Sequence, residues 1–339
     1  MHFKRSIVLL VITGMGFLSC ARSSGTPDSR AGSQTPAANT SASQSSDTEK
    51  ELERRLKLIC DRANGTVGLS VIHIETGKTV SVNGQSLLPL YSVFKLPLAI
   101  AVLKQVEEKS LRTDQKVHVS PEESVAGAPE NTALWQKPVD ITIAELIDLS
   151  ISRSDNTSTD KLLQLVGGPR AVTERLRSLG FQNLDIHSTV AEFVKSRDNP
   201  NTGSAEDLAN LLVQLQQGKI LQPAQQNLLI GFMQRTTTGL RRLRGDLPAG
   251  TIVADKTGSG ERDQTTNVPK ATNDVGIITL PKGRGHLVIA VLVSESKLTD
   301  AEQEKLIAEI ARVAYDFFAT DSDKRAIHPQ ITQITQIRI

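Results

Sequence analysis

The fold is decided by residues 90–106, which read LYSVFKLPLAIAVLKQV. Residues 94–106 are apolar over a helical length and predict a buried helix that opens beside Ser92. Lys95 follows Ser92 by one helical turn, on the same face and within hydrogen-bond reach. A helix N-terminus favours negative charge, and a partly desolvated lysine can accept a serine proton. The stretch therefore predicts Ser92 as a nucleophile with Lys95 as its base.

The Ser-x-x-Lys spacing alone is weak evidence for a nucleophile. It occurs three times in this chain, at Ser92/Lys95, Ser158/Lys161 and Ser294/Lys297. Both residue types are common, so about one match per chain is expected by chance. Ser92 is distinguished by its setting, because it follows a turn and opens the strongly apolar helix.

Two further motifs occur once each. Ser-Asp-Asn at residues 154–156 lies between two helical runs, and alone it is typical of a helix N-cap. Lys-Thr-Gly at residues 256–258 ends a strand, and alone it is typical of a strand end with a turn glycine. Together with Ser92 and Lys95, on a helix start, a loop and a strand end, they match the motif set of class A β-lactamases and penicillin-binding proteins.

The order of predicted elements indicates one α/β domain of mixed α+β type. Helices are predicted at 49–63, 94–106, 141–149, 159–166, 171–179, 205–216, 224–234 and 300–318, and strands at 67–74, 79–82, 251–256, 275–280 and 287–293. Because strands occur near both ends of the domain, we expect an antiparallel sheet built from both termini and flanked by helices. An all-helical subdomain, at about 92–245, is inserted between its halves.

The N-terminal region predicts export. Residues 1–19 have a positive start and an apolar segment too short to span a membrane, which is typical of a secretory signal peptide. Ser19-Cys20 resembles the bacterial lipoprotein signal, which implies a lipid on Cys20; the alternative is an ordinary signal with an incidental cysteine. Residues 20–46 are polar and predict a flexible tether. The catalytic domain is expected at 47–320, followed by a tail, 321–339, without an assigned purpose.

Other classes of function are disfavoured by composition. The net charge is +2, and no basic face with interleaved aromatic residues is present, so nucleic acid is not an expected partner. The six histidines form no His-x-x-x-His pair and there is no Cys-x-x-Cys, so no metal or other cofactor is expected. Gly77-Lys78-Thr79 is not a phosphate loop, because the position five residues before Gly77, where that motif requires a glycine, is Ile72. With Cys20 lipidated, Cys60 is expected to be a small buried apolar residue without a disulfide.

The chain resembles a class A serine β-lactamase over residues 49–318. Beyond the three motifs, the resemblance is carried by residues 166–170, 236–239, 247–250 and 273–278. Residues 273–278 and the insertion at 129–138 are most similar to the extended-spectrum branch of Bacteroides-like lineages. The resemblance implies hydrolysis of β-lactam antibiotics by a monomer, anchored through Cys20 on the periplasmic side of a bacterial membrane. Alternatives are a peptidoglycan DD-peptidase and a penicillin-binding or sensor module that stays acylated.

The resemblance also implies roles for individual residues. Ser92 would attack the lactam carbonyl, Lys95 would help to deprotonate it, and Ser154 would pass a proton to the departing nitrogen. The backbone amides of Ser92 and Ser259 would form the oxyanion hole. Substrate binding falls to Asn156, for the side-chain amide, and to Lys256, Thr257, Gly258, Ser259 and Arg242, around the carboxylate.

Several of these assignments have alternatives. A guanidinium suits a planar carboxylate, but Arg242 is alternatively a solvated charge at a helix end. Trp135 either walls the substrate cleft or only pins the insertion that contains it.

One position departs from the family pattern. The family hydrolyses its acyl-enzyme with a glutamate that activates water, and the matching position here is near Val190. The nearest acid, Glu192, is therefore predicted to be the base; the alternative is a surface glutamate. Asp198 or Asn201 occupies the place of a usual structural aspartate.

Overall fold

The computed structural model describes residues 39–265, 267 and 269–320, and for residues 39–48, 129 and 130 it describes only the backbone. The expected signal peptide, Cys20 and the expected tail at 321–339 lie outside the described residues. The strands are β1 (Thr66–His73), β2 (Lys78–Val82), β3 (Leu88–Pro89), β4 (Lys116–Val119), β5 (Val139–Thr142), β6 (Leu184–Asp185), β7 (Thr202–Gly203), β8 (Val253–Ser259), β9 (Ala271–Thr279) and β10 (His286–Ser294).

The helices are α1 (Asn39–Asp61), α2 (Lys95–Glu107), α3 (Pro129–Leu134), α4 (Ile143–Ser152), α5 (Asn156–Leu165), α6 (Pro169–Ser178), α7 (Val190–Ser196), α8 (Ala205–Gln216), α9 (Pro223–Gln234) and α10 (Asp300–Ala319). Short 3-10 turns occur at Tyr91–Phe94, Pro121–Glu123 and Pro281–Gly283. Within the described part of the chain, no helix is both long enough and apolar enough to cross a membrane.

The central sheet confirms the expected mixed fold. Its five strands run in the order β2-β1-β10-β9-β8, and every neighbouring pair is antiparallel. The first two strands come from the N-terminal part of the domain and the other three from its C-terminal part, with eight helices between them, α2–α9. Small sheets, β3-β7-β6 and β4-β5, were not predicted because their strands have only two to four residues.

Both faces of the sheet are buried, as the alternation in β10 shows. Val288, Ala290 and Leu292 belong to the core shared with the helices between the two halves of the sheet. The intervening Ile289 and Val291 belong to the core shared with α1 and α10. Side chains of a strand point alternately to opposite faces, so one nearly continuous apolar strand supplies two cores. The sheet is thereby held rigidly between the helical subdomain and the terminal helices.

Helix α1 begins earlier than its apolar spacing predicts. We expected residues up to 46 to be tether and the helix to begin at residue 49, but helical backbone extends from Asn39. No proline or glycine lies between Pro36 and Gly65, so nothing in the sequence stops the helix from extending toward the N-terminus. Residues 39–46 are therefore helical, and the remainder of the expected tether lies outside the described residues.

Two single residues in the core settle open expectations. Cys60 is free and buried among apolar side chains, as expected, and burial raises the pKa of its thiol to about 12. Trp135 is 1% exposed and its indole Nε1 donates a hydrogen bond to Asp155 Oδ2 over 3.2 Å. The indole therefore pins the insertion to the core.

Candidate active site

Ser92 stands on a strained turn at the edge of the central sheet. It lies in the 3-10 turn Tyr91–Phe94, and Tyr91 has φ = +45°, in the left-handed region that non-glycine residues rarely adopt. Asn273 of β9 holds this turn, because its Nδ2 donates to Pro89 O over 2.8 Å and to Leu90 O over 3.2 Å. The nucleophile predicted from the sequence is thus positioned by a strand far away in the chain.

Lys95 is the first residue of α2, and its backbone N–H donates to the carbonyl oxygen of Ser92. It is 1% exposed, and its Nζ donates to Ser154 O over 2.6 Å, to Ser154 Oγ over 3.3 Å and to Asn156 Oδ1 over 2.8 Å. Burial, together with the nearby positive charge of Lys256, holds the pKa of Lys95 well below its usual range. This environment favours the neutral, proton-accepting form of the amine.

Ser154 lies between two buried lysines. Its backbone is left-handed, with φ = +56°, and its Oγ is 3.3 Å from Lys95 Nζ and 3.2 Å from Lys256 Nζ. Lys256 is fully buried on β8, and burial lowers its pKa to about 7 against the raising effect of Asp274 and Asp255. A hydroxyl that contacts both amines can relay a proton between them.

The Ser-Asp-Asn segment contains the helix N-cap that its local pattern predicts. Asp155 is the N-cap of α5, where its Oδ1 accepts hydrogen bonds from Ser158 N over 2.6 Å and Ser158 Oγ over 2.5 Å. Asn156 begins the helix and presents its amide to the site, with Nδ2 donating to Ala126 O over 2.5 Å. Ser158, the serine of a competing Ser-x-x-Lys match, is fully buried as a partner of Asp155.

The end of β8 carries the expected carboxylate-binding groups. Thr257 Oγ1 is 2.6 Å from the Thr238 hydroxyl, and the exposed Ser259 Oγ accepts a hydrogen bond from Arg242 Nη2 over 2.7 Å. Gly258 fits against the nucleophile turn so closely that a Cβ there would lie 2.5 Å from Leu90 O. Only glycine allows this strand and the Ser92 turn to approach so closely.

Arg242 is not a solvated charge at a helix end. It lies in the connection between α9 and β8, is 7% exposed, and its Nη1 donates to Gly258 O over 3.1 Å and to Asn273 O over 2.9 Å. The guanidinium therefore stands directly behind Ser259 and places positive charge beside its hydroxyl.

Two acids lie behind Lys256. Burial raises the pKa of Asp255 to about 6, although Arg244 Nε donates to its Oδ1 over 2.7 Å. Burial and the neighbouring Asp255 carboxyl raise the pKa of Asp274 well above its usual range. The negative charge of these acids raises the pKa of Lys256 and so opposes the lowering effect of burial.

A cleft of about 200 Å³ opens over Ser92. It is lined by Ser92 and Asn156 on one side, by Ser259, Gly260 and Glu261 on another, and by residues of α7 and its flanks, Thr189, Val190, Phe193, Val194, Arg197, Pro200 and Asn201, together with Tyr91 and Phe94. Trp135 does not belong to this lining, so of its two expected uses the structure supports only the pin. No group of three or more potential metal-binding side chains occurs among the described residues.

Glu192 is not brought to the cleft, contrary to the prediction. Its side chain is exposed and Oε2 accepts a hydrogen bond from Thr189 N over 2.8 Å, while Glu192 N donates to Thr189 Oγ1 over 3.1 Å. This reciprocal pair is a capping box at the start of α7. The prediction relied on proximity in sequence. Helical periodicity places Val190 on the side of α7 that faces the cleft and Glu192 on another side.

Asn201, rather than Asp198, ties down the segment that carries α7. Its Oδ1 accepts hydrogen bonds from His187 N over 2.9 Å and Ser188 N over 3.0 Å, and its Nδ2 donates to Ser188 O over 3.1 Å. An amide supplies both donor and acceptor, so it can close this loop from both directions.

Sequence reasoning did not assign Asn273 or Asp160 to the site. Asp160 Oδ1 accepts from Val190 N over 2.7 Å and Oδ2 from Ala191 N over 2.8 Å, so a carboxylate of α5 holds the N-terminus of α7. Asn273 belongs to residues 273–278, which carry part of the family resemblance, and it lies two positions before the predicted strand at 275–280. Residues 272–274 of β9 are all polar, and their burial, which marks specific contacts, becomes visible only in the structure.

Comparison with known proteins agrees with this geometry. Residues 50–318 match the family described as the Beta-lactamase enzyme family. The extended-spectrum β-lactamase PER-1 of Pseudomonas aeruginosa is 36% identical over 272 residues, covering 78% of this chain and 87% of that protein. A β-lactamase of Bacteroides uniformis is 31% identical, covering 78% of this chain and 90% of that protein.

Solved structures give the same result. The crystal structure of a β-lactamase from Chitinophaga pinensis has 36% identity and a TM-score of 0.75, covering 78% of this chain and 98% of that one. A class A β-lactamase from Bacteroides cellulosilyticus has 31% identity and a TM-score of 0.75, covering 80% and 99% respectively. The chain belongs to the β-lactamase enzyme family and is a class A serine β-lactamase, a hydrolase of β-lactam antibiotics that confers resistance to them.

Proposed function

We propose that Ser92 is the nucleophile of this β-lactamase and that Lys95, Ser154 and Lys256 move its protons. The observation that carries this assignment is the Ser154 hydroxyl, which lies within 3.3 Å of Lys95 Nζ and 3.2 Å of Lys256 Nζ. These polar groups connect the amine of Lys95, one helical turn from Ser92, with the amine of Lys256 on β8.

In acylation, neutral Lys95 accepts the proton of the Ser92 hydroxyl as Oγ bonds to the lactam carbonyl carbon. The lactam C–N bond then breaks, and the departing nitrogen takes a proton from Ser154, which is replenished from Lys95. The backbone amides of Ser92 and Ser259 donate to the developing oxyanion, where one donor typically contributes about 3 kcal/mol. The lowered pKa of Lys95 supports this order of proton transfers, since a permanently charged amine could not accept the first proton.

The substrate is oriented by groups on two sides of the cleft. The carboxylate beside the lactam nitrogen is bound by Lys256, Thr257 and Ser259, with the charge of Arg242 directly behind Ser259. Asn156 binds the side-chain amide, since its own amide lines the cleft with Ser92. Gly258 has no side chain, and this allows β8 to lie close to the turn that carries Ser92.

The test is a nitrocefin assay on the full chain, with absorbance followed beside the intact-protein mass. Ser92→Ala is expected to abolish both turnover and the covalent adduct. Ser294→Ala is the matched control, because Ser294 has the same spacing to a lysine but lies in β10. Turnover that survives in Ser92→Ala, or an adduct mapped to another serine, would refute the assignment.

We also propose that the chain is exported as a monomer and anchored to a membrane by lipid on Cys20, on the periplasmic side. The signal-like residues 1–19 and the cysteine that follows them support this. Labelling with palmitate is expected in the full chain and in Cys60→Ala, and to be lost in Cys20→Ala together with membrane association. Label retained in Cys20→Ala would contradict the anchor.

A further inference from the structure

The face that α7 turns toward Ser92 carries no carboxylate. Val190, Phe193, Val194 and Arg197, spaced as one side of a helix, line the cleft. Val190 is 9% exposed and is the first residue of α7. Its backbone N–H donates to Asp160, which holds this end of α7 against α5. The side chain that α7 offers to an ester at Ser92 is therefore apolar.

The carboxylates nearest to the cleft are each committed to another partner. Among the described residues that line it, Glu261 carries the only carboxylate, and this forms an ion pair with Arg197. Both oxygens of Asp160 accept backbone N–H groups of α7. Asp155 accepts hydrogen bonds from Trp135 and from the start of α5. None of these acids is free to hold a water against an acyl group on Ser92.

Lys95 is the remaining proton acceptor at the nucleophile. Its amine contacts Asn156, which lines the cleft with Ser92, and it is buried where water competes little for its lone pair. The charged groups that face it are Lys256 of β8, Asp155 at the start of α5 and Asp160 of α5. The two acids raise the pKa of Lys95 and the second lysine lowers it, while burial favours the neutral amine.

We propose that Lys95 serves as the base in both half-reactions, so that the acyl-enzyme at Ser92 is hydrolysed slowly and accumulates during turnover. In deacylation, a water oxygen bonds to the acyl carbonyl carbon and its proton passes to Lys95 Nζ. The tetrahedral intermediate then collapses, the bond from carbon to Ser92 Oγ breaks, and Lys95 returns the proton to that oxygen. The inference rests on the proposed function, because it requires an acyl group on Ser92.

The principal test is the deacylation rate of Val190→Glu, measured by the decay of the intact-protein adduct after a rapid pulse of nitrocefin. A carboxylate at this position faces the ester directly, and a positioned general base contributes roughly a hundredfold or more. We expect deacylation to accelerate by about that factor. Ala191→Glu is the matched control, because it adds the same charge at the next, exposed position of α7, and it should leave the rate unchanged.

Measurements on the unmodified protein keep the inference testable if Val190→Glu does not fold. A burst of product that matches the enzyme concentration is expected, followed by a slower phase whose rate falls when the pH is lowered far enough to protonate Lys95. Glu192→Gln retains the capping box and should deacylate at the original rate. A tenfold loss in Glu192→Gln or Glu261→Gln, a slow phase whose rate does not fall at the lowest pH at which the protein stays folded, or a folded Val190→Glu without acceleration would overturn the inference. Absence of any adduct would instead refute the proposed function.

Discussion

Replacing Asn273 by alanine should damage both the stability and the reaction of this enzyme, because this side chain joins the nucleophile turn to the sheet. Asn273 is fully buried on β9. Its Nδ2 donates to the carbonyls of Pro89 and Leu90, and its Oδ1 accepts a hydrogen bond from Val293 N of β10 over 3.1 Å. One amide therefore connects two neighbouring strands with the turn that carries Ser92.

The magnitude follows from these three hydrogen bonds. A net contribution of about 1 kcal/mol for each gives a loss of about 3 kcal/mol in the free energy of unfolding. The Leu90 carbonyl keeps a partner, since Val93 N donates to it over 3.1 Å, so no larger penalty is expected there. For a domain of this size the loss corresponds to a fall of roughly 6–12 °C in Tm. The freed turn can also relax the left-handed backbone of Tyr91, which would move the neighbouring Ser92.

Thermal unfolding and the acylation rate at Ser92 should be measured together. We expect acylation to slow by at least tenfold in Asn273→Ala while the protein remains folded at 25 °C. Asn227→Ala is the matched control, since Asn227 is an exposed residue of α9, and changes there should stay within about 0.5 kcal/mol. Unchanged acylation in a clearly destabilised Asn273→Ala would show that the turn holds its geometry without this amide and would refute the reasoning.

Three further changes test other parts of the site. The pKa of Lys256 is about 7, so binding of the substrate carboxylate should weaken above that pH, and kcat/KM should fall on the alkaline side with a midpoint near 7. In Lys256→Arg the charge persists, so that fall should disappear from the profile measured up to pH 9. Trp135→Phe removes the donor to buried Asp155 and part of the buried ring volume, and it should lower the free energy of unfolding by at least about 2 kcal/mol in urea titrations. Gly258→Ala places a Cβ 2.5 Å from Leu90 O, so it should cost about 1–3 kcal/mol and slow adduct formation; an acylation rate equal to that of the parent would disprove this close approach.

The sequence predicted the parts of this structure that have strong local signals. Apolar helices such as α2, and apolar strands such as β10, were expected within a few residues of their bounds. The three motifs were assigned to one site because their order along the chain matched a known set. Short elements such as α7 could not be predicted, since one or two turns carry too little periodicity to stand out.

The site residues that the sequence did not identify act through contacts distant in the chain. Asp160 holds α7 through backbone amides, which leave no mark on side-chain composition. Glu192 was assigned to the site because it was the nearest acid in sequence, but capping of α7 fixed its direction. Which face of a short helix meets a cleft depends on tertiary packing, and neither residue type nor spacing records this.

Because the two buried lysines interact, we expect the neutral fraction of Lys95, the proposed base, to depend on the substrate. Both lysine side chains are removed from water, so burial lowers the pKa of each. The positive charge of Lys256 lowers the pKa of Lys95 further. A substrate carboxylate beside Lys256 favours the protonated form of that lysine, since opposite charges attract more strongly where water is excluded. Protonated Lys256 in turn disfavours a proton on Lys95, so binding of substrate increases the neutral fraction of the base. A neutral ester of the same β-lactam lacks this effect. It should therefore acylate Ser92 more slowly even at saturating concentration, with the difference smallest at low pH, where Lys256 is already charged.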